Sequence, residues 1–552
     1  MKKKLCTLLA AVLTLSLVLA SCGGPSSSSS EEPAASGSGS TSQGETTSGP
    51  KDEVVTMAII STWNTLNVYN TTGNYGNCVA DQMFERMVSC THDGEYLPRL
   101  ANSWKMADDN MSMTFYLNEN ATWHDGEPLT ADDVVFTLKA VTNEKMNNYY
   151  RSKFVCVGGT DENGICADPD QLQVEAIDEH TVRIGLNGPM DEQSVLSTLC
   201  SFLYVLPQHI LDTGDYSSIN DSDFWTNPVG AGPFQFVRET AGEELELTAN
   251  ENYYLGCPDF KTFVIRVVPA ASLTAGLLNG DIDVVGAGSV PLADWGTIQS
   301  ADNLVAKSVS SYSYQYMQFN LAEGNDTFQD PAVRTAFDKA IDKQLMVDQL
   351  MAGEGTVAVG PMPSYHPYYN EDLVPNTYDP EAAKSELEAA GFDFSRTYRL
   401  LVPQGNQVRE QSALIIQQNL GAIGVNVEIQ TYDFATVLEM MRNGEFDFGL
   451  LGGGSNIDPF ESAVIVQPGS AQNYSLLTDS KWYDLASAGN SLVDFDERKE
   501  AFDAYQAALV EDQPYIWLYH QNDLQAYSTR IAEIPMDDFI WWNYEVWTWK
   551  LA

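Results

Sequence analysis

The stretch FDFGLLGGGSNIDP, residues 446–459, places three consecutive glycines, Gly452, Gly453 and Gly454, ahead of Ser455, Asn456 and Asp458. Glycines after an apolar alternation can cradle a phosphate, make a turn, or let a ligand approach main chain closely. A phosphate loop needs a lysine and a hydroxyl residue opening a helix. Here Ser-Asn-Ile-Asp-Pro follows, and its acid would repel an anion. Three glycines also exceed what one turn requires. The expectation is a loop that contacts a ligand, through Gly452, Gly453, Gly454, Ser455, Asn456 and Asp458. Two further stretches could face the same ligand. Trp63 and Asn64 follow an apolar run, as a ligand wall or as a core tryptophan with a turn asparagine. Tyr314 lies in SYSYQYMQFN (311–320), aromatic at alternate positions, which reads as a strand crossing between domains or as ordinary core.

Motifs for catalysis are missing. There is no G-x-S-x-G, no H-E-x-x-H and no calcium-loop spacing, so no catalytic residue, metal site or cofactor is assigned and the chain does not read as an enzyme. The six histidines are isolated in sequence, and none of the cysteines forms C-x-x-C. Cys156 and Cys166 flank VGGTDENGI, a hairpin-like loop, and are the expected disulfide pair; buried free thiols are the alternative.

The elements that would position these residues are legible from periodicity. EVVTMAII (53–60), MTFYL (113–117) and HTVRIGL (180–186) alternate as strands. YGNCVADQMFERMV (75–88) has helical spacing. Thr130 with Asp133 caps a helix over 132–141. Asp330-Pro331 and Asp379-Pro380 open helices with a cap and a first-turn proline. The first carries an apolar stripe through Val333, Phe337, Ala340, Ile341 and Leu345; the second ends near Gly391. Strand 398–403, helix 406–424, strand 425–430, helix 434–444 and strand 445–451 form a β-α-β-α-β unit. Its strands should be parallel, with ligand outside their carboxyl ends, where Gly452–Gly454 lie. WWNYEVWTW (541–549) reads as packing rather than binding.

The amino-terminal residues set the compartment. Lys2, Lys3 and Lys4 precede an uncharged apolar run of about 16 residues, short of the roughly 20 that span a bilayer. Leu19-Ala20-Ser21-Cys22 then reads as the cleavage site of a lipoprotein signal, 1–21, with lipid on Cys22. Residues 22–51, rich in Ser, Gly, Thr and Glu, cannot bury a core and read as a tether reaching on the order of 30 Å. The expected location is the cell membrane, by lipid anchor only, facing the extracellular or periplasmic side. The formal charge of −47 repels nucleic acid and anionic lipid surfaces.

Several stretches in order resemble the family 5 extracellular solute-binding proteins of ABC transporters, which include oligopeptide- and dipeptide-binding proteins. They are DGEYLPRLANSWKMADDNMSMTFYLNENATWHDGEPLTADDVVFTL (93–138), NPVGAGPFQFV (227–237), ANENYYLG (249–256), LLNGDIDVV (277–285), DPAVRTAFDKAIDK (330–343) and YDPEAAKSELEAAGF (378–392). The resemblance spans residues 52–552. It implies a bilobed α/β fold of the periplasmic-binding-protein kind with an inserted domain. Lobe I would be 52–87, 188–312 and 527–552, the inserted domain 88–187, and lobe III 313–526. It implies a monomer that encloses a small-molecule or peptide ligand and delivers it to an ABC permease and ATPase. In oligopeptide-binding members an aspartate of the segment like 446–460 meets the peptide's amino terminus. An ungapped reading puts Asn456 there, with Gly453 where a tryptophan can stand; Asp458 could replace the missing charge. Oligosaccharide or another small solute is the alternative ligand, and a secreted hydrolase the rival class.

Overall fold

A computed structural model describes residues 51–71, 73–454 and 457–552. The expected signal, Cys22 and the tether up to residue 50 therefore lie outside the described residues, as do Ser455 and Asn456, while Lys51 opens the first strand. The alternating run at 53–60 forms the strand Lys51–Ile59, parallel to Phe260–Val267 on one side and to Val284–Val285 on the other. Its second half is buried on both faces, as a central parallel strand requires. Around it a seven-stranded sheet runs in the order Leu304–Val309, Asp523–Ser528, Val284–Val285, Lys51–Ile59, Phe260–Val267, Glu244–Ala249, Phe234–Thr240.

A separate six-stranded sheet holds the β-α-β-α-β unit. Its order is Gly355–Val357, Tyr515–Gln521, Ser313–Phe319, Phe448–Gly454, Thr397–Pro403, Asn426–Tyr432. The strand Thr397–Pro403 is parallel to both Asn426–Tyr432 and Phe448–Gly454. The helix Gln407–Ala422 reaches Gln315 through Arg409, while the helix Phe434–Arg442 reaches Gln318 through Met441. Positions three apart on a strand face opposite ways, so these helices cover opposite faces. Connections crossing from one face to the other leave a switch point between Thr397–Pro403 and Phe448–Gly454.

A four-stranded antiparallel sheet, Ala101–Met106, Ser112–Leu117, Thr181–Gly185 and Val174–Asp178, carries the helix Ala131–Thr142. The Thr130–Asp133 capping box is present.

Buried apolar residues divide into two large clusters. One joins residues 55–309 with the carboxyl-terminal segment; the other is built from residues 314–519. Ile457 is the exception, 2% exposed and packed in the first cluster although its neighbours in sequence belong to the second body. The chain passes between the bodies twice. The first crossing follows Leu304–Val309 and precedes Ser313–Phe319; the second is Asn522, a few residues before the boundary expected at 526.

Three expectations change. The helix predicted over 75–88 is Asn74–Met83, because Phe84 is extended and leads to the strand Val88–Cys90. The stripe 333–345 spans two helices, Pro331–Lys339 and Lys343–Leu350, since the Asp342 carboxylate caps a fresh start at the Leu345 amide. Cys156 and Cys166 are free thiols, not a disulfide. The loop between them closes on its own Asp161, which accepts from the Asn163 and Ile165 amides. The Cys166 thiol meets the Asp168 carbonyl, and burial pushes the Cys156 thiol up to about 11.

Candidate functional site

The glycines occupy the carboxyl end of the strand Phe448–Gly454, opposite the strand Ser313–Phe319, in the register Tyr314 to Gly453 and Gln315 to Gly452. None of the three needs left-handed backbone; what two of them supply is space. A Cβ on Gly453 would stand 2.6 Å from the Tyr314 hydroxyl oxygen, and one on Gly452 would stand 2.3 Å from the Gln315 amide nitrogen. The tyrosine ring thus lies over one glycine, and Gln315, held by Arg409 at 2.9 Å, lies over the next on the other face. Gly454 is open, its nearest contact being the Tyr312 carbonyl at 4.0 Å. Protein side chains therefore account for the missing Cβ at Gly452 and Gly453, and only Gly454 has an open Cβ position.

The far edge of this strand pairs with Thr397–Pro403 only at Phe448 and Gly449 among the described residues. Beyond that the two strands splay. From Leu450 to Gly454 the main-chain groups on that side have no strand beside them. This is the switch point, where a crevice forms between diverging parallel strands.

A cavity of ≈ 260 Å³ adjoins it. Its walls are Tyr314, Tyr316, Leu451 and Gly452–Gly454 from the sheet, Phe434 and Leu438 from the helix, Glu461, Val464 and Ile465 from the turn Pro459–Ile465, and Gln472 and Tyr474 from the loop that follows. Tyr314 and Tyr316 are 2% and 3% exposed, and burial pushes both phenols far up. Neither hydroxyl has a hydrogen-bond partner among the described residues. Both oxygens of Glu461 accept from Lys153 Nζ, each at 2.7 Å. Lys153 lies in the turn Arg151–Phe154 of the first body, so this pair bridges the two.

Asp458 does not face the cavity as a spare charge. Its Oδ1 caps the turn by accepting from the Phe460 amide at 3.1 Å, and accepts from Arg498 Nη2 at 2.8 Å. Arg498 also donates to Tyr368 Oη at 2.8 Å and to Ser194 Oγ at 2.9 Å; its Nε lies 3.3 Å from Asp191 Oδ2. Burial raises the Asp191 carboxyl, against the pull of Arg498. Asp191 caps the helix Glu192–Phe202 of the first body. The suggested role of Asp458 as an amine receptor therefore meets a carboxylate already engaged by an arginine.

Trp63 and Asn64 lie in the first body and do not line the cavity. Trp63 is a core residue whose Nε1 donates to Glu239 at 2.6 Å; Asn64 is exposed and donates to the Asn70 carbonyl. The structure thus unites Tyr314 with the glycines and sets Asp458, Trp63 and Asn64 apart. Sequence reasoning passed over Glu461, Lys153 and Arg498; one acid and two cations in a chain dense with charge carry no local signal.

A second cavity, ≈ 280 Å³, lies between the segment from Ser364 to Asp372 and Lys499–Asp503, and contains none of the expected residues. Among the described residues no cluster of His, Cys, Asp or Glu is placed to hold a metal, and no helix is long and apolar enough to cross a membrane.

Comparison with known proteins gives a consistent picture. Residues 95–475 match the family described as bacterial extracellular solute-binding proteins, family 5. The oligopeptide-binding protein AppA of Bacillus subtilis (strain 168) is 28% identical over 451 residues, covering 77% of this chain and 78% of that protein. The heme-binding protein A of Haemophilus influenzae is 26% identical over 488 residues, covering 85% and 87%. The solved structure of Bacillus subtilis AppA in complex with a nonapeptide superposes with a TM-score of 0.72 at 25% identity, covering 92% of this chain and all of that one.

Proposed function

We propose a peptide-capturing role for this chain, which belongs to the bacterial extracellular solute-binding proteins of family 5. It is a binding protein of ABC transport rather than an enzyme. A ligand is held between two bodies that close on it by bending at the two crossings, near Ser310–Tyr312 and at Asn522. In this reading lobe I comprises 52–87, 188–312 and the segment after Asn522, the inserted domain 88–187, and lobe III 313–521. Lipid on Cys22 would tether the protein to the membrane, and the closed form would hand its ligand to a permease.

The observation that carries the peptide reading is the open strand edge from Leu450 to Gly454 beside a side-chain-sized cavity. An extended peptide can add main-chain hydrogen bonds to such an edge while one of its side chains enters the cavity. The peptide ligands of AppA and the dipeptide-binding protein of Escherichia coli (strain K12), 26% identical over 461 residues, support the same class. One observation favours a second reading: three tyrosines, Tyr314, Tyr316 and Tyr474, line one cavity, and such rings also stack on sugars.

The test is thermal unfolding of the secreted chain, stripped of copurified solute by unfolding and refolding, against peptide and oligosaccharide pools. A ligand at 100 times its Kd stabilises by about 2.7 kcal/mol. A rise with peptides alone supports the proposal; a rise with sugars alone replaces it.

A further inference from the structure

We propose that the cavity beside the glycine strand is a subsite for one bulky, uncharged apolar or aromatic side chain of the ligand, roofed by the Lys153–Glu461 pair. This rests on the peptide-capture reading and adds what the peptide must carry.

The size points to a single group. At ≈ 260 Å³ the cavity falls below the roughly 300–1,000 Å³ of sites that hold a whole ligand. The lining points to its chemistry. Leu438, Leu451, Val464 and Ile465 are aliphatic, and Phe434 is aromatic and 53% exposed, an apolar face open to cover.

The one charged residue in the walls is Glu461, and Lys153 already engages both its oxygens. A cationic side chain would have to displace that lysine. An anionic one would meet no cation in the walls and would stand beside Glu461. Burying an unpaired charge in such surroundings is costly, so both are disfavoured.

Polar groups remain for orientation, among them the exposed side chain of Gln472 in the wall. The hydroxyls of Tyr314 and Tyr316, in side chains at least 97% buried, have no hydrogen-bond partner among the described residues. They can donate to a ligand carbonyl or accept from a tyrosine hydroxyl of the ligand. Lys153 and Glu461 come from different bodies, so the roof exists only where the bodies meet. Filling the cavity and forming the pair exclude water from the same space.

The experiment is titration calorimetry of the secreted chain with pentapeptides of alanine carrying Ala, Leu, Phe, Lys or Glu at each position in turn. At one position Leu and Phe should bind about 10- to 100-fold tighter than Ala, the gain expected for burying such a side chain. Lys and Glu there should bind more weakly than Ala. Leu438→Glu, at a half-buried site, should invert the order at that position so that Lys becomes preferred; this gain cannot come from a folding defect. Binding without preference at any position overturns the subsite and leaves peptide capture standing. A preference that Leu438→Glu does not move places the subsite elsewhere and also overturns the proposal. If no peptide binds at all, the underlying reading fails and this one with it.

Discussion

Two buried arginine centres in this molecule differ in where their partners come from. Arg99 lies inside the first body, 1% exposed. Its Nε donates to Glu85 at 3.0 Å, its Nη1 to Glu545 at 3.0 Å and its Nη2 to Tyr253 at 3.1 Å, with the Tyr544 ring 3.4 Å from the guanidinium carbon. Tyr253 and Tyr254 also donate to Glu85, and Trp547 to Glu545. Every arm of Arg99 is met, and every partner belongs to the same core. Arg498 is equally buried, but it joins Asp458, Tyr368 and Asn490 of the second body to Asp191 and Ser194 of the first. Its Nε and Asp191 Oδ2, although 3.3 Å apart, are not aligned as a hydrogen bond. A satisfied ionic centre within one core is scaffold. One with an unaligned arm, shared between two cores, is placed to act as a joint under the proposed closure.

That contrast is open to direct attack. Arg99→Met leaves Glu85 and Glu545 buried without their cation, which costs about 3–5 kcal/mol. Urea unfolding should show this as a large drop in midpoint, while ligand affinity of the fraction that folds is unchanged. An unaltered midpoint would mean the centre is not scaffold.

Next in size is the response to acid. His520, in the strand leading to the Asn522 crossing, donates from Nδ1 to the Ser313 carbonyl at 3.0 Å, and burial pushes it down from 6.5 to about 4. The unfolded chain therefore takes up a proton in a range where the folded chain does not. Stability from this group is complete above pH 6.5 and is lost as pH falls from 6.5 to about 4, by about 3 kcal/mol. His520→Gln should flatten the acid limb of the unfolding midpoint by that amount; a limb of undiminished slope would refute the assignment.

Arg498→Met separates joint from scaffold. In the open form Asp191 returns to water, so the loss falls mainly on the closed, ligand-bound state. A hydrogen bond to a charged group contributes about 1.5–3 kcal/mol. Ligand Kd should therefore rise about 10- to 100-fold, with a midpoint shift smaller than that of Arg99→Met. Equal midpoint shifts with unchanged Kd would erase the distinction between the two centres.

Local patterns were legible in the sequence, and distant partnerships were not. The unit from Thr397 to Gly454 was readable because each strand and helix carries its own period; the structure adds the caps Asn406 and Asp433 that start its two helices. The Asp330 and Asp379 caps were readable because a first-turn proline follows each. The strand Ser313–Phe319 showed in its alternating tyrosines, two of which line the cavity, although the strand lies within the second sheet and does not itself cross between bodies. The meaning of the glycines was only half legible. That Gly452 and Gly453 make room for Gln315 and Tyr314 depends on a register between strands over a hundred residues apart. Arg498 was illegible, since its partners come from positions 191, 194, 368, 458 and 490, brought together only by the fold. The disulfide expectation failed on geometry of the same kind. A hairpin-like spacing says nothing of where each thiol points.

The smallest effect is the most diagnostic of what closes over the ligand. Lys153 and Glu461 are each about one-third exposed, and a pair so wetted contributes about 0–1 kcal/mol. Lys153→Ala should therefore leave the unfolding midpoint within error and weaken a peptide with an aromatic side chain by no more than about fivefold. The qualitative change matters more. With its cation gone, Glu461 faces the cavity as an unpaired carboxylate, so a peptide bearing lysine at the selected position should gain affinity while one bearing phenylalanine loses it. In Arg498→Met, by contrast, peptides of both kinds should weaken by the same factor, because that joint lies outside the cavity walls. A parallel shift in both variants would make Lys153–Glu461 one more joint; opposite shifts in Lys153→Ala would make it the part of the closure that reads the ligand.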